Sequence, residues 1–249
     1  MTAGRTPRTA ALTAATLPPG DDERIAGTGV MGLPFSSGDY LSLRCMTASF
    51  ADPYRAVWHR SADGDWTVYS TADPEHSCER FIGAACTRPS IRTAIDVEWL
   101  DDWTLRVTLP GALDWTIALT TTPVTRMMSR MGLRMSHGMW TDPLVLASMG
   151  RVAGPMLGVG AVRLAGLMPN GQHFTAAPVQ IWAVRDSRAS LAGRDLGAPA
   201  ALPAQARLGG FRLPQRGIFM SGFGHFEPFD PARHVSAAAH NDALPAEAS

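Results

Sequence analysis

The sequence predicts a mainly β protein, in which one antiparallel β-barrel carries an inserted α-helical hairpin at about residues 122–154. Three observations lead to this fold class. Short runs of β-branched and aromatic residues are separated by turn residues at intervals of about ten, which is typical of all-β sandwiches and barrels. Asp-Gly, Pro-Gly and Asn-Gly pairs stand between several of these runs, as in tight hairpins. About ten strands are expected in antiparallel order, and closure into a barrel would remove the exposed edges of an open sheet.

Turn signals divide the expected strands into hairpins, and the clearest turn is Asp63-Gly64. This pair readily adopts the positive φ angles that a tight reversal demands. Within residues 103–109, apolar and polar side chains alternate, which predicts a strand with one buried and one wetter face. The expected strands span residues 54–60, 65–71, 92–99, 103–109, 113–121, 158–168, 173–184, 205–213 and 217–227.

A stretch in the middle of the chain has a helical pattern instead. Thr122 offers a side-chain cap, and Pro123 occupies the first helical position, where its missing N–H costs nothing. We expect Gly138 to end this helix, and a second helix to run from Thr141 to Gly154. Between Pro123 and Gly138, four methionines recur at helical spacing: Met127, Met128, Met131 and Met135. The two helices would form a hairpin between β regions.

Composition and charge limit the classes of function. The 249 residues contain 22 Lys+Arg and 22 Asp+Glu, so no global field favours nucleic acid or an anionic membrane. Every basic residue is arginine, which excludes a Schiff-base lysine and a phosphate-loop lysine. The Gly-x-Ser-x-Gly elbow and the His-Glu-x-x-His motif are also absent. We therefore expect no nucleic-acid partner and no cofactor.

Domain organisation and location follow from the ends of the chain and from its cysteines. We expect one domain at residues 28–232 between disordered tails at residues 1–27 and 233–249, which lack a periodic apolar face. No window approaches the roughly 18 apolar residues of a membrane span, and no signal-peptide pattern is present. Three cysteines without C-x-x-C spacing fit a reduced compartment: Cys45, Cys78 and Cys86. The sequence thus favours a cytoplasmic protein without stable membrane insertion, and its oligomeric state stays open.

Four residues are candidates for acid–base chemistry: His59, Asp96, Glu98 and His225. The imidazole of His59 would exchange protons near neutral pH if it faced an aromatic-lined lumen. A histidine hydrogen-bonded on the outer or rim face is the alternative. Asp96 and Glu98 share a strand face and would divide acid and base roles in an apolar cavity, although exposed polar alternation explains them equally well. The seven histidines never occur at metal-ligand spacing, so we expect no metal site.

Aromatic residues on the expected strands indicate a lining for an apolar ligand. Phe219, Ser221, Phe223 and His225 share one strand face, which suits a mostly apolar ligand with one polar end. Arg185 belongs to a charged group at residues 185–195 that could bind a carboxylate or phosphate, or form a structural Arg/Asp network. The candidate ligand-binding residues are Trp58, Trp66, Tyr69, Trp182, Arg185, Phe219 and Phe223.

The methionine-rich helix admits several interpretations. Its adaptable thioether side chains could form a pliable lid over a pocket or a partner-binding face, and ordinary core packing is the alternative. Arg126, Arg130 and Arg134 recur every four residues on another face. Such a basic amphipathic helix could touch anionic lipid transiently. Three charges supply at most a few kcal/mol, so we expect no stable anchoring.

Parts of the sequence resemble known families. One set of segments is similar to landmarks of a family of uncharacterised actinobacterial proteins: Gly29–Ser37, Val57–Arg60, Trp66–Tyr69, Pro169–Gln172, Ile181–Val184 and Gly193–Gly197. The β hairpins around Leu113–Leu119 more distantly resemble the lipocalin-like (calycin) superfamily, which includes carotenoid hydratases and related terpenoid or polyketide-tailoring enzymes. This resemblance implies a calycin-like barrel and an apolar ligand, and it assigns no catalytic residue.

Three hypotheses for function follow. In the leading one, the barrel lumen binds a small hydrophobic molecule such as an isoprenoid, a fatty acyl chain or a polyketide. The alternative is a lyase, hydratase or cyclase that acts on such a molecule through His59, Asp96, Glu98 or His225. The third is an interaction module that presents the methionine-rich helix to a partner.

Overall fold

The structure is a computed structural model, and it describes residues 5–13 and 15–245. This part of the chain is mainly β, with a few helices. Its strands are β1 (Glu23–Val30), β2 (Leu33–Pro34), β3 (Tyr40–Ala48), β4 (Tyr54–Arg60), β5 (Trp66–Ser70), β6 (Ile91–Arg92), β7 (Asp96–Trp99), β8 (Thr104–Leu109), β9 (Leu113–Thr120), β10 (Ala165–Leu167), β11 (His173–Leu191), β12 (Arg194–Asp195), β13 (Arg207–Leu208), β14 (Phe211–Arg212) and β15 (Ile218–Phe226). Its helices are α1 (Pro7–Leu12), α2 (Glu79–Ile82), α3 (Pro123–Gly132), α4 (His137–Thr141), α5 (Pro143–Leu157) and α6 (Ala237–Ala243).

One large sheet contains all of these strands except β13 and β14. Its main order is β6-β5-β4-β3-β1-β15-β11-β9-β8-β7, and the short strands β2, β10 and β12 pair with β3 or β11. Every pairing is antiparallel except that of β5 with β6. The first and last long strands, β1 and β15, meet at the centre. The sheet therefore consists of two meanders, one from β1 to β6 and one from β7 to β15, which are joined where β1 pairs with β15.

The sheet curls into a half-barrel. The ring of Trp99, on the edge strand β7, lies 5.7 Å from that of Phe219 on the central strand β15, although three strands separate them in the order. Only a strongly curved sheet brings such positions together. In the part of the chain that the structure describes, no ladder joins β6 to β7, so the closed barrel that we expected is not seen. The charged side chains of Asp96 and Glu98 line the exposed edge at β7, where charge discourages pairing with another chain.

Both faces of the curled sheet carry a hydrophobic core. The concave face is filled by side chains from both meanders, including Leu43, Trp115, Trp182 and Phe219. The convex face carries a second core, in which Trp58 and Phe226 from the sheet pack against the segment around α2. Because both faces of β3 and β4 are covered, most residues of these two strands are buried, and buried and exposed residues do not alternate regularly.

The predicted hairpin turns and the alternation of one strand are confirmed. Gly64 and Gly171 both adopt positive φ, +105° and +96°, as the Asp-Gly and Asn-Gly signals indicated. In β8, Leu105, Val107 and Leu109 are buried, and the residues between them are half-buried or exposed.

The middle segment is helical as expected, but its helices have different limits. Thr122 caps α3 in a capping box with Thr125, and Asp142 caps α5 by accepting hydrogen bonds from two backbone N–H groups. The expected end of the first helix at Gly138 is wrong, because α3 ends at Gly132 and Gly138 lies inside the short helix α4. At Gly132 a Cβ would lie 2.4 Å from the Val179 carbonyl oxygen, so glycine here allows close packing on β11.

The second helix also extends beyond the expected end. α5 continues through Gly154 to Leu157 and terminates at Gly158, which has φ +64°. A left-handed glycine is the usual stop for a helix, and Gly154 instead permits close approach to the loop after the helix, since a Cβ there would lie 2.2 Å from the Gly160 oxygen.

Parts of the expected tails carry regular structure. β1 begins at Glu23 and α1 spans Pro7–Leu12, both within residues 1–27. α6 lies within residues 233–249. Pairing of β1 with β3 and β15 orders a segment whose own apolar pattern is weak. Of the residues expected to be tails, 1–4, 14 and 246–249 lie outside the described residues.

Candidate functional site

The candidate site is an apolar cavity on the convex side of the sheet, between the sheet and the helices α3 and α5. Its volume is about 220 Å³. Met46 and Met220 lie on its sheet side, whereas Met128 and Ala153 approach from the helices. Larger depressions of about 590 to 630 Å³ elsewhere are more open to solvent. An enclosed apolar cavity with few polar groups is the usual form of a small-molecule site.

Methionine dominates the wall of this cavity. Seven of the twelve methionines of the chain border it: Met31, Met46, Met128, Met131, Met149, Met168 and Met220. Of the methionine run that we singled out, Met128 and Met131 border the cavity, Met127 is 48 % exposed, and Met135 packs in a small cluster around Trp140. Thioether side chains adapt to irregular shapes, so this wall can adjust to different apolar ligands.

Three arginines border the cavity, and of these Arg44 is buried, whereas Arg163 is exposed and Arg212 is half-buried. Arg44 on β3 is only 7 % exposed. Its Nη1 donates to the carbonyl oxygens of Val30 at 2.7 Å and Leu43 at 2.9 Å, and its Nη2 donates to that of Met31 at 3.3 Å. Its guanidinium carbon lies 4.2 Å from the ring centroid of Trp58. Of its five N–H groups, one on Nε and one on Nη2 have no hydrogen-bond partner among the described residues.

No carboxylate neutralises Arg44 within the described part of the chain. The titratable groups that face it are two thiols and two phenols: Cys45, Cys78, Tyr40 and Tyr54. Burial raises the pKa of both thiols to about 11 and that of both phenols above its usual value. All four are therefore neutral near pH 7. Burial lowers the pKa of Arg44 itself, but an arginine stays protonated in proteins. The cavity thus contains an uncompensated positive charge.

Two of the predicted ligand-binding residues border this cavity, Trp58 and Phe223. The indole Nε1 of Trp58 donates to Cys78 Sγ at 3.0 Å, which fixes the ring beneath Arg44. Trp66 lies in the same convex core, and its Nε1 donates to the carbonyl oxygen of Arg207. Its ring is therefore a packing element that lies close to the cavity but does not border it.

The structure places the other four predicted ligand-binding residues away from this cavity. Trp182 and Phe219 pack against each other in the concave core, with ring centroids 5.8 Å apart, and Tyr69 packs against the same core. Arg185 is exposed beside a bulge in β11. The predicted ligand-binding residues therefore come from both faces of the sheet. Period-two alternation divides the residues of a strand between two faces, but it does not say which face borders a cavity.

His59 lies in a buried ionic group, away from the cavity. Its Nε2 is 2.8 Å from Asp39 Oδ1, and Asp39 also accepts two hydrogen bonds from Arg194. Burial alone would raise the pKa of Asp39, but hydrogen bonds from Arg194 and His59 hold that pKa at about 2. Burial also lowers the pKa of His59. This group ties β12 to β3 and β4, which is a structural use of the histidine.

Asp96 and Glu98 do not meet in a cavity. Both are exposed on the edge strand β7, and the alternating residues Val97 and Trp99 face the concave core. Glu98 lies opposite Arg106 in the ladder. The two carboxylates therefore follow the exposed polar alternation that we weighed as the alternative.

His225 forms a pair with Asp22. Its Nδ1 lies 2.9 Å from Asp22 Oδ2, and its Nε2 is buried without a hydrogen-bond partner among the described residues. The rings of Phe223 and His137 lie 5.8 Å and 5.2 Å from the imidazole. A carboxylate that orients one nitrogen and leaves the other free is the arrangement of a general base. The pair borders an open depression and not the apolar cavity.

The sequence contained a signal for Arg44 that we did not use. In Tyr40–Met46 the residues at even positions are Tyr40, Ser42, Arg44 and Met46. An arginine flanked by apolar residues in the middle of a strand indicates a buried charge, and such charges need a partner. Nothing comparable marks Met46 or Met220, since their role depends on where the helices lie.

Comparison of the chain with protein-family models and with curated proteins gives no match. Among the described residues, none of the helices is long and apolar enough to cross a membrane. No group of three or more His, Cys, Asp or Glu side chains in the described part could hold a metal ion.

Proposed function

We propose that the protein binds a small hydrophobic molecule, such as a fatty acyl chain, an isoprenoid or a polyketide-like compound, and that this molecule carries an anionic end group. The observation that supports the proposal is an apolar cavity of about 220 Å³ containing a buried arginine without a carboxylate partner. The resemblance to the lipocalin-like superfamily belongs to the same proposal, since a calycin-like barrel with an apolar ligand is what that resemblance implies.

The anionic end group follows from the state of Arg44. A buried charge is strongly unfavourable without a partner, and two N–H donors of this guanidinium have no partner among residues 5–13 and 15–245. A carboxylate or phosphate oxygen matches planar guanidinium donors and forms short, charge-assisted hydrogen bonds with them. The ligand would therefore complete a site whose apolar part is already formed.

Cavity size limits the ligand. At roughly 30 Å³ for each water-sized group, about seven such groups fit into 220 Å³. An acyl chain of about seven heavy atoms fits without rearrangement. Longer molecules, including decanoate, require movement of the methionine side chains, of which Met220 and Met128 are only half-buried.

The first test uses the wild-type protein with decanoate and decanol, which differ only in the charged end. We expect both to quench tryptophan fluorescence, because Trp58 borders the cavity, and decanoate to bind about tenfold or more tightly, in line with a charge-assisted hydrogen bond. If neither binds, the function as a whole is wrong. If decanol binds as tightly as decanoate, only the anionic end group is wrong.

The second test removes the charge. Arg44→Met should weaken the preference for decanoate over decanol by about tenfold and leave the binding of decanol. Arg188→Met is the matched control, since Arg188 is exposed on β11 and does not border the cavity. Circular dichroism checks that the variants fold. A preference that persists in folded Arg44→Met would exclude this residue as the anion-binding group.

A second candidate is an enzyme of the lyase, hydratase or cyclase type that uses acid–base chemistry. The Asp22–His225 pair favours it, because the free Nε2 of an oriented imidazole can accept a proton. The burial of this atom argues against it, since a substrate must first displace what covers the nitrogen. Loss of turnover in His225→Gln, with unchanged ligand affinity, would support the enzyme, and unchanged turnover would exclude His225 as its base.

A further inference from the structure

The segment at residues 123–157, called the insert below, exposes an unusual amount of apolar surface. Twelve large apolar side chains are exposed in the described part of the chain, and seven of them lie in the insert: Met127, Met131, Leu133, Met139, Leu144, Val152 and Met156. Leu144 is 79 % exposed. Single exposed apolar side chains are ordinary, but a cluster of this kind marks an interaction surface.

The same surface is positively charged. The insert contains four arginines and one aspartate, a formal net charge of +3 in a chain whose formal net charge is zero. The arginines are Arg126, Arg130, Arg134 and Arg151. None of them forms an ion pair in the part of the chain that the structure describes. Asp142, the lone acidic residue, caps α5.

Arginine and methionine are arranged side by side on the exposed part of α3 and α4. A trough of about 630 Å³ is formed entirely by Pro123, Arg126, Met127, Arg130, Met131, Arg134, Met135 and Met139. The opposite face of α3 is held on the sheet, where Ser129 Oγ accepts from the backbone N–H of Ile181 and donates to its carbonyl oxygen. This anchoring holds one face of α3 against the sheet and leaves the opposite face exposed.

The exposed surface is continuous with the apolar cavity. Met131 borders both the trough and the cavity and is 47 % exposed. Met128 and Ala153, on the inner sides of α3 and α5, also border the cavity. A molecule that moves from this surface into the cavity therefore meets α3 and α5 first.

We propose that the insert docks on the surface of an anionic lipid bilayer, with its exposed apolar side chains in the headgroup region and its arginines on lipid phosphates. Charge selects this occupant over a second copy of the chain. A second copy would place the same arginines against one another, and an apolar face flanked by basic residues is what binds at a negatively charged membrane surface. Docking there does not depend on whether the cavity is occupied.

The test is co-flotation of the full-length protein with vesicles of phosphatidylcholine alone or mixed with phosphatidylglycerol. We expect partition onto the mixed vesicles to be at least about tenfold stronger, and high salt to weaken it because it screens exposed charges. The triple variant R126Q/R130Q/R134Q should lose about tenfold or more. The triple variant R92Q/R106Q/R207Q removes the same charge from exposed positions elsewhere and should bind like the wild type.

A second pair of variants tests the apolar contribution. Met127→Ser and Leu144→Ser alter exposed side chains, so both should fold, and together they should weaken partition by about tenfold. Equal partition onto both kinds of vesicle, no partition, or equal loss in the two triple variants would overturn the proposal. A wild-type dimer in light scattering that Leu144→Ser dissociates would also overturn it, since the surface would then join two copies.

Discussion

The two faces of the curled sheet use the same strands in different ways. On the concave face, Trp115 and Phe219 are fully buried among side chains from both meanders. On the convex face, Met46 and Met220 border a cavity under the helices of the insert. Rigid aromatic and branched side chains interdigitate to interior density, whereas unbranched methionines adapt to irregular shapes. The concave side is therefore filled, while the convex side keeps a hollow beside its own core.

The largest expected effect contrasts the two faces directly. Trp115→Ala should lower the free energy of unfolding by about 3 to 5 kcal/mol, because it leaves a void and removes the donor to Ser187 Oγ at 2.8 Å. Met220→Ala should cost only about 1 to 2 kcal/mol, since this side chain already borders empty space. Urea denaturation measures both. Equal losses would mean that the two faces are packed alike.

The next effect concerns a buried carboxyl group under the convex face. Glu79 on α2 is 1 % exposed, and burial raises its pKa from 4.5 to about 7. Between these pH values the unfolded chain releases this proton while the folded protein retains it. Stability therefore falls as pH rises through this range, by roughly 2 to 3 kcal/mol.

Glu79→Gln should remove this part of the pH dependence. We expect the variant to gain stability over the wild type as pH rises from 4.5 to 7.5, measured by urea denaturation across that range. Glu98→Gln, at an exposed position, is the control and should follow the wild type. A constant difference between Glu79→Gln and the wild type would show that Glu79 ionises normally.

A smaller effect tests whether the convex cavity is the binding site. Ala153 borders the cavity from α5, and Ala147 is exposed on the same helix. Ala153→Phe should fill the hollow and weaken decanoate binding about tenfold, equivalent to about 1.4 kcal/mol, with little loss of stability. Ala147→Phe should bind as the wild type does. Unaltered titrations with Ala153→Phe would place the ligand elsewhere.

The smallest effect is expected at the edge of the half-barrel. Asp96→Asn and Glu98→Gln change exposed side chains on β7, so each should alter the free energy of unfolding by less than about 0.5 kcal/mol and leave decanoate binding unchanged. Thermal melts and the fluorescence titration check this. A marked loss of binding would return these carboxylates to the list of functional groups.

Much of the fold could be predicted from local patterns, and much less of the site. The hairpin of β4 and β5 around Gly64, the alternation in β8 and the caps Thr122 and Asp142 all follow from neighbouring residues. Trp58 and Phe223 were found because aromatic residues on strands often border cavities. Arg44 was missed because the charged residues that we predicted to be functional lie close to other charged residues in the sequence, whereas Arg44 stands alone among apolar residues.

By itself, the sequence determined the hairpin of β4 and β5, the alternation in β8 and the two helix caps, since these depend on side-chain period, glycine and capping groups within a few residues. It did not identify β1 or β3, which lie outside the expected strands. Only the tertiary structure decided the pairing of β1 with β15, across nearly the whole chain, and the direction in which the sheet curls. That direction places Trp182 in a filled core and Trp58 beside a hollow. Alternation divides a strand into two faces, but which face is filled depends on helices and strands that are distant in the sequence.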